Sequence, residues 1–179
     1  TYLNGNYLIT LKPKEDERGF FARYFGEREF SDQGLNTKWV QINNSMSKNK
    51  GTLRGLHYQK EPYAEVKLIR CLKGSIWDVV VDLRENSETF GKWFGAKLSD
   101  QNRKMMYVPK GFAHGFVTLE QNTEILYLVS SFYVPDSEGI LIWNDPKVKI
   151  DWPIKYEVIS NKDINGSKLD SIVPIKLIS

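Results

Sequence analysis

Glu65-Val66-Lys67-Leu68-Ile69-Arg70-Cys71-Leu72-Lys73-Gly74-Ser75-Ile76-Trp77-Asp78-Val79-Val80-Val81-Asp82-Leu83 is the stretch whose pattern decides the fold. Its halves are rich in aliphatic and β-branched residues, and Lys73-Gly74 supplies a turn between them, so strands are expected over Ala64–Leu72 and Ser75–Leu83. In the first half Val66, Leu68 and Leu72 occupy one parity and Ile69 and Cys71 the other. A strand apolar on both parities must be covered on both faces. In the second half Trp77, Val79, Val81 and Leu83 share a face, leaving Asp78 and Asp82 on the other with Ile76 and Val80. Lys67 therefore lies inside a buried strand, where a lysine is costly unless paired or functional. Alternation makes Asp78 its candidate partner across the hairpin.

Outward from this stretch the same texture continues. Strand-like runs fall at Tyr7–Leu11, Phe20–Phe25, Lys38–Asn43, Leu53–Tyr58, Trp93–Leu98, Lys104–Val108, His114–Leu119, Thr123–Val129 and Gly139–Trp143. Turn residues punctuate them: Glu85-Asn86-Ser87, Ser99-Asp100-Gln101-Asn102, Pro109-Lys110-Gly111 and Pro135-Asp136-Ser137. Helices are suggested only at Glu27–Gln33 and after Ser160. So many short strands predict an all-β sandwich or jelly roll, because two sheets closed on each other limit exposed edges. The 179 residues suit one domain, with no repeat and no low-complexity linker.

Composition narrows the function. Hydrophobic residues at 41% and aromatics at 13% are those of a folding chain. The +3 formal charge, from 25 basic and 22 acidic residues, includes no Lys/Arg block that would track a phosphate backbone, so nucleic acid is not the expected partner; a small anion held by a few arginines is compatible. One cysteine, Cys71, precludes an internal disulfide, and its apolar setting suggests a buried thiol in a reducing compartment, the cytoplasm. No run is long enough for a membrane span, and the N-terminus does not read as a signal peptide. Two histidines without a His-x-His pair leave too few ligands for a transition-metal site, and no glycine-rich dinucleotide or phosphate-loop pattern occurs. Neither metal nor cofactor is expected, so chemistry falls to side chains.

With histidine this scarce, acid–base work near neutral pH passes through His57, in Leu53-Arg54-Gly55-Leu56-His57-Tyr58-Gln59, or His114, in Pro109-Lys110-Gly111-Phe112-Ala113-His114-Gly115-Phe116. His57 is a base or a satisfied core histidine; Arg54, Gln59 and Lys67 nearby favour function. His114 shares its parity with Phe112 and Phe116, which suggests a packed imidazole. Ser160-Asn161-Lys162-Asp163 has the Ser-x-x-acid spacing of a helix cap, giving Asp163 a structural role. Tyr127 and Tyr133 read as core or interface aromatics, and Arg18 can simply face water.

Asp16-Glu17-Arg18-Gly19-Phe20-Phe21, Leu53–Gln59, Lys67-Leu68-Ile69-Arg70-Cys71, Val81-Asp82-Leu83-Arg84, Pro109–Phe116, Ser137-Glu138-Gly139 and Trp143-Asn144-Asp145, in this order, resemble the dTDP-4-dehydrorhamnose 3,5-epimerase family from about residue 5 to about residue 165. The resemblance implies a cupin-type jelly roll with short peripheral helices, usually a homodimer that exchanges N-terminal strands. It also implies a nucleotide-linked 4-keto-6-deoxy sugar as substrate, no cofactor, and a place in surface-polysaccharide sugar biosynthesis. By position, His57 matches the base, Asp163 the carboxylate that orients it, Lys67 the cation at the enolate oxygen and Tyr127 the acid. Arg18, Arg54 and Lys162 match diphosphate-binding cations, Gln41 and Asn43 nucleotide contacts, His114 and Glu138 substrate-site residues, and Tyr133 the aromatic on the base. One position departs from the pattern: Arg23, also beside the nucleotide, stands where a Glu is common. It admits a CDP- or GDP-linked sugar, or inversion at C3 or C5 alone, as the alternative. A non-catalytic cupin-like sugar-binding module is the rival from another class.

Overall fold

The computed structural model describes residues 1–178. In chain order the elements are β1 (Tyr7–Thr10), β2 (Lys14–Asp16), β3 (Gly19–Phe21), α1 (Glu27–Ser31), β4 (Gln41–Ser47), β5 (Thr52–Gln59), β6 (Lys67–Lys73), β7 (Ser75–Asp82) and β8 (Trp93–Ser99). They continue as β9 (Lys104–Val108), β10 (Phe112–Thr118), β11 (Thr123–Val129), β12 (Glu138–Ile140), β13 (Val158–Ile159) and α2 (Asn161–Ile164). One sheet has the order β1-β9-β6-β11-β4; the other has β12-β5-β10-β7-β8, with β13 parallel to β5. Among the described residues, β2 and β3 pair only with each other.

The expected all-β architecture holds, with several strand bounds moved: the strand expected over Ala64–Leu72 starts only at Lys67, and the one over Gly139–Trp143 is β12, Glu138–Ile140. The run expected over Phe20–Phe25 shortens to β3, and the one over Lys38–Asn43 moves to β4, whose pairing with β11 starts at Gln41 opposite Val129. β2 and β13 escape sequence detection because Lys14-Glu15-Asp16 has no apolar face and Val158-Ile159 is too short to show a period.

The deciding stretch forms both of its strands, but they do not pair. β6 lies between β9 and β11, whereas β7 lies between β10 and β8 in the opposite sheet. Gly74, at φ +74°, turns the chain from one layer into the other, and a Cβ there would sit 2.7 Å from the Thr123 hydroxyl. Both faces of each strand are consequently buried. Ile69 and Cys71 meet Ile76 and Val80 between the sheets, with Met106, Phe112 and Ile125. Outside the first sheet, Leu68 packs with Phe30 of α1, Met105 and Tyr107. Outside the second, Val79 and Val81 are covered by the C-terminal segment through Leu141, Leu169, Ile172 and Ile175. Among the described residues no helix is long and apolar enough to cross a membrane.

The Val81-Asp82-Leu83-Arg84 motif is a structural lock. The fully buried Asp82 carboxylate accepts from Arg84 Nε and Nη2 at 2.9 and 2.7 Å and from the Ser87 and Thr89 hydroxyls at 2.6 and 2.7 Å, closing the loop that leads to β8. Burial opposes the charge, but these donors outweigh it and hold the carboxyl below its usual range.

Candidate active site

At one end of the sandwich, polar side chains replace the apolar filling and line a cleft of about 400 Å³. β4 contributes Gln41 and Asn43, β5 Arg54 and His57, β6 Lys67, β10 His114, β11 Tyr127 and β12 Glu138, with Glu65 and Tyr133 from adjoining segments. Arg54 and His57 reach the same side although three residues apart. Between them β5 has Gly55 and Leu56, whereas β10 has only Gly115 between their partners Phe116 and His114. This bulge restores the facing that strict alternation would deny.

His57 is half-buried, and its Nε2 donates to Asp163 Oδ1 at 2.7 Å. Nδ1 is thereby left as the nitrogen that can take a proton. Asp163 meets both sequence readings: its backbone N–H donates to Ser160 Oγ at 3.1 Å, as in a helix cap, while its carboxylate reaches across to His57 and accepts from Gly55 N at 3.3 Å. Burial works against its charge, but the imidazole, the Gly55 N–H and the Ser160 side chain more than compensate and hold it below the usual carboxylate range.

Lys67 makes no ion pair with Asp78: the two approach across the core from different sheets, near enough for the ammonium to act on the carboxylate, but each has a closer partner. Lys67 Nζ lies 3.2 Å from Glu65 Oε1. Asp78, fully buried, accepts instead from His114 Nε2 at 2.7 Å. Burial pushes Asp78 above the usual carboxylate range despite His114 and Lys67 nearby. The sequence thus placed His114 near Phe116, which is observed at 6.4 Å between ring centroids, but missed its carboxylate. It also missed Glu65, although alternation from Lys67 was a signal available at that position. Tyr127 is pushed up by burial, partly offset by Arg54 and reinforced by Glu65, so its hydroxyl keeps its proton well above neutrality.

The rim is built by a bolted loop. Gln59, buried, accepts from Val134 N at 2.7 Å and donates to the Tyr63 and Phe132 carbonyls at 3.0 and 3.1 Å. That loop presents Tyr133, whose N–H donates to Gln41 Oε1 at 2.9 Å and whose hydroxyl donates to Glu138 Oε2 at 3.1 Å. Lys162 pairs with Glu138 at the same edge. Arg54 Nε donates to Ser47 Oγ at 3.2 Å. Arg18 and Arg23 stand apart from the cleft of their own chain: Arg18 is bonded to Asp16 on the exposed β2–β3 hairpin, and Arg23 to Glu29 at 2.6 Å. The other eleven predicted site residues converge on the cleft, its rim or the back of His57.

The family model for dTDP-4-dehydrorhamnose 3,5-epimerase matches residues 1–171. A dTDP-4-dehydrorhamnose 3,5-epimerase of Shigella flexneri is 47% identical over 164 residues, 90% of each chain. The crystal structure of a dTDP-4-dehydrorhamnose 3,5-epimerase from Elizabethkingia anophelis NUHP1 superposes with a TM-score of 0.91 at 46% identity, covering 95% of this chain and 94% of that one. A dTDP-6-deoxy-D-glucose-3,5-epimerase from Legionella pneumophila Philadelphia 1, solved in complex with dTDP-4-keto-L-rhamnose, gives a TM-score of 0.93 at 37% identity, covering 100% and 97%. The two facing sheets are the cupin-type jelly roll of these epimerases.

Proposed function

The chain belongs to the dTDP-4-dehydrorhamnose 3,5-epimerase family, and from that premise we propose how its cleft epimerises a dTDP-linked 4-keto-6-deoxy sugar on the way to activated rhamnose. The C4 ketone acidifies the hydrogens on C3 and C5. His57 Nδ1 removes one of them, and the C–H electron pair moves into an enolate whose oxygen takes the negative charge. The Lys67 ammonium stabilises that oxygen, and the burial of its side chain strengthens the attraction. Tyr127 then gives its proton to the opposite face of the carbon. Asp163 fixes the imidazole tautomer and stabilises the imidazolium while it exists, and solvent resets both groups. The observation that carries this reading is the His57–Asp163 pair at 2.7 Å in one cleft with Lys67 and the protonated Tyr127.

Arg54 and Lys162 are assigned to the diphosphate, Gln41 and Asn43 to the nucleoside, Tyr133 to stacking on the base, and His114 and Glu138 to the sugar. Arg18 and Arg23 are assigned to the cleft of a partner copy in a homodimer. Support comes from the β2–β3 hairpin, which is exposed along its whole length and pairs with no other strand among the described residues, and from Val40, Ile42 and Met46, exposed around the edge strand β4. Glu29 beside Arg23 answers its added charge, which favours dTDP over the other nucleotides that the substitution suggested.

The test is solvent deuterium incorporation in D2O, with dTDP-, CDP- and GDP-linked 4-keto-6-deoxy sugars compared. Label is expected at C3 and C5 of the dTDP sugar. With His57→Ala the rate should fall by about 10²–10⁴-fold; exchange as fast as wild type would remove His57 as the base. With Tyr127→Phe, inversion should fall more than exchange, because the enolate still forms but lacks its donor.

A further inference from the structure

Lys67 has Glu65 as its only ion-pair partner among the described residues, at 3.2 Å, with both side chains only 11% exposed. Glu65 precedes Lys67 by two positions, so both side chains point to the inner face, and both line the cleft. A buried ion pair is a poor way to gain stability, which makes its presence at the reacting end informative. An ammonium carries three donors; an ion pair with Glu65 on one side leaves donors for an oxygen in the cleft and restricts the sweep of a long, flexible side chain.

Glu65 also bears on Tyr127. From the two strands flanking Tyr127 come the uncharged Asn43 of β4 and the apolar Ile69 of β6 in register. The charged and titratable groups that line the cleft with it are Arg54, His57 and Tyr58 from β5, Lys67 and Glu65 from β6 and the segment before it, His114 from β10 and Tyr133 at the rim, with Asp78 behind His114. Glu138 at the rim is engaged by Lys162 and Tyr133. Burial raises Tyr127, Arg54 opposes the rise, and Glu65 adds to it.

We propose that Glu65 is a positioning residue for the acid side of the site: its carboxylate holds the Lys67 ammonium against the C4 oxygen and faces the Tyr127 hydroxyl with negative charge. This rests on the proton-transfer roles given above. Two functions meet in one side chain, reach for Lys67 and charge for Tyr127, and different substitutions separate them. Glu65→Gln keeps the shape and removes the charge. Glu65→Asp keeps the charge and shortens the reach.

Turnover and its pH profile are measured for wild type and both variants, alongside titration of 13C-labelled tyrosine, with the Tyr127 signal assigned by its loss in Tyr127→Phe. In Glu65→Gln, kcat is expected to fall about tenfold, with KM changed less, and the alkaline limb to move to lower pH by about half a unit, together with the Tyr127 titration. Glu65→Asp restores the position of the limb but keeps part of the loss in kcat. An unchanged profile and an unchanged Tyr127 titration in Glu65→Gln would overturn the proposal, as would complete loss of exchange in both variants, which would make Glu65 a proton carrier. Absence of turnover in wild type would instead strike the reaction assignment, while the tyrosine titration would still decide the charge role of Glu65.

Discussion

Asp163 joins local and long-range structure in one side chain. The Ser160-to-Asp163 spacing predicts a helix cap, and the cap forms through the Asp163 backbone N–H. The carboxylate is then free to serve His57, across 106 residues of sequence. An amide in its place can donate to Nε2 and so favour the opposite imidazole tautomer. Asp163→Asn is expected to lower kcat by about 10²-fold, read in the same deuterium-exchange assay. The sign of its effect on stability follows from its depressed ionisation. A carboxylate held below its unfolded value of about 3.9 stabilises the fold above that pH, and the contribution is lost as pH falls through the folded value. Thermal melts from about pH 5 down to about pH 2 should therefore decline less steeply for Asp163→Asn than for wild type; parallel declines would count against the assignment.

At the scale of elements, the contact of β5 with β10 sets the geometry of the cleft. Gly55 stands at φ +111°, and a Cβ on Gly115 would lie 2.7 Å from the Arg54 carbonyl oxygen and 3.2 Å from Gly55 Cα. These two glycines let the strands close around the bulge that turns both Arg54 and His57 into the cleft. Gly115→Ala must push backbone against backbone, at a cost of about 1–3 kcal/mol. For a chain of this length the melting temperature should drop by about 2–4 °C per kcal/mol, with activity falling in the fraction that remains folded. A melting temperature equal to wild type would show that the strands can part without penalty. The central apolar strands were legible from their composition; this bulge was not, because it depends on a register between strands that are distant in sequence.

For the whole molecule, the separation of Arg18 and Arg23 from their own cleft is the feature to test. If the β2–β3 hairpin serves a second copy, Arg18→Ala and His57→Ala damage the same site from different chains. Mixing the two variants with exchange of subunits should then restore about a quarter of wild-type activity, since half of the dimers are mixed and each mixed dimer has one intact site. No recovery, with subunit exchange verified by mass, would return Arg18 to its own chain. Sedimentation should show the dimer directly.

The layers were legible in the sequence, and the resemblance supplied the residues proposed as the reacting set. β-branched and aliphatic runs on both parities announce central strands, because burial on two faces leaves a local record. His57, Lys67, Tyr127 and Asp163 were reachable through ordered motifs that resemble a family. Only the tertiary structure decided that β6 and β7 face each other across the core instead of pairing. Across the core Lys67 bears on Asp78 only through space, while the close partners of the two are Glu65 and His114. Alternation fixes which side of a strand a residue faces, but the sheet that the strand joins is set by long-range packing and a single positive-φ glycine, so the partners of buried charges could not be read from spacing alone.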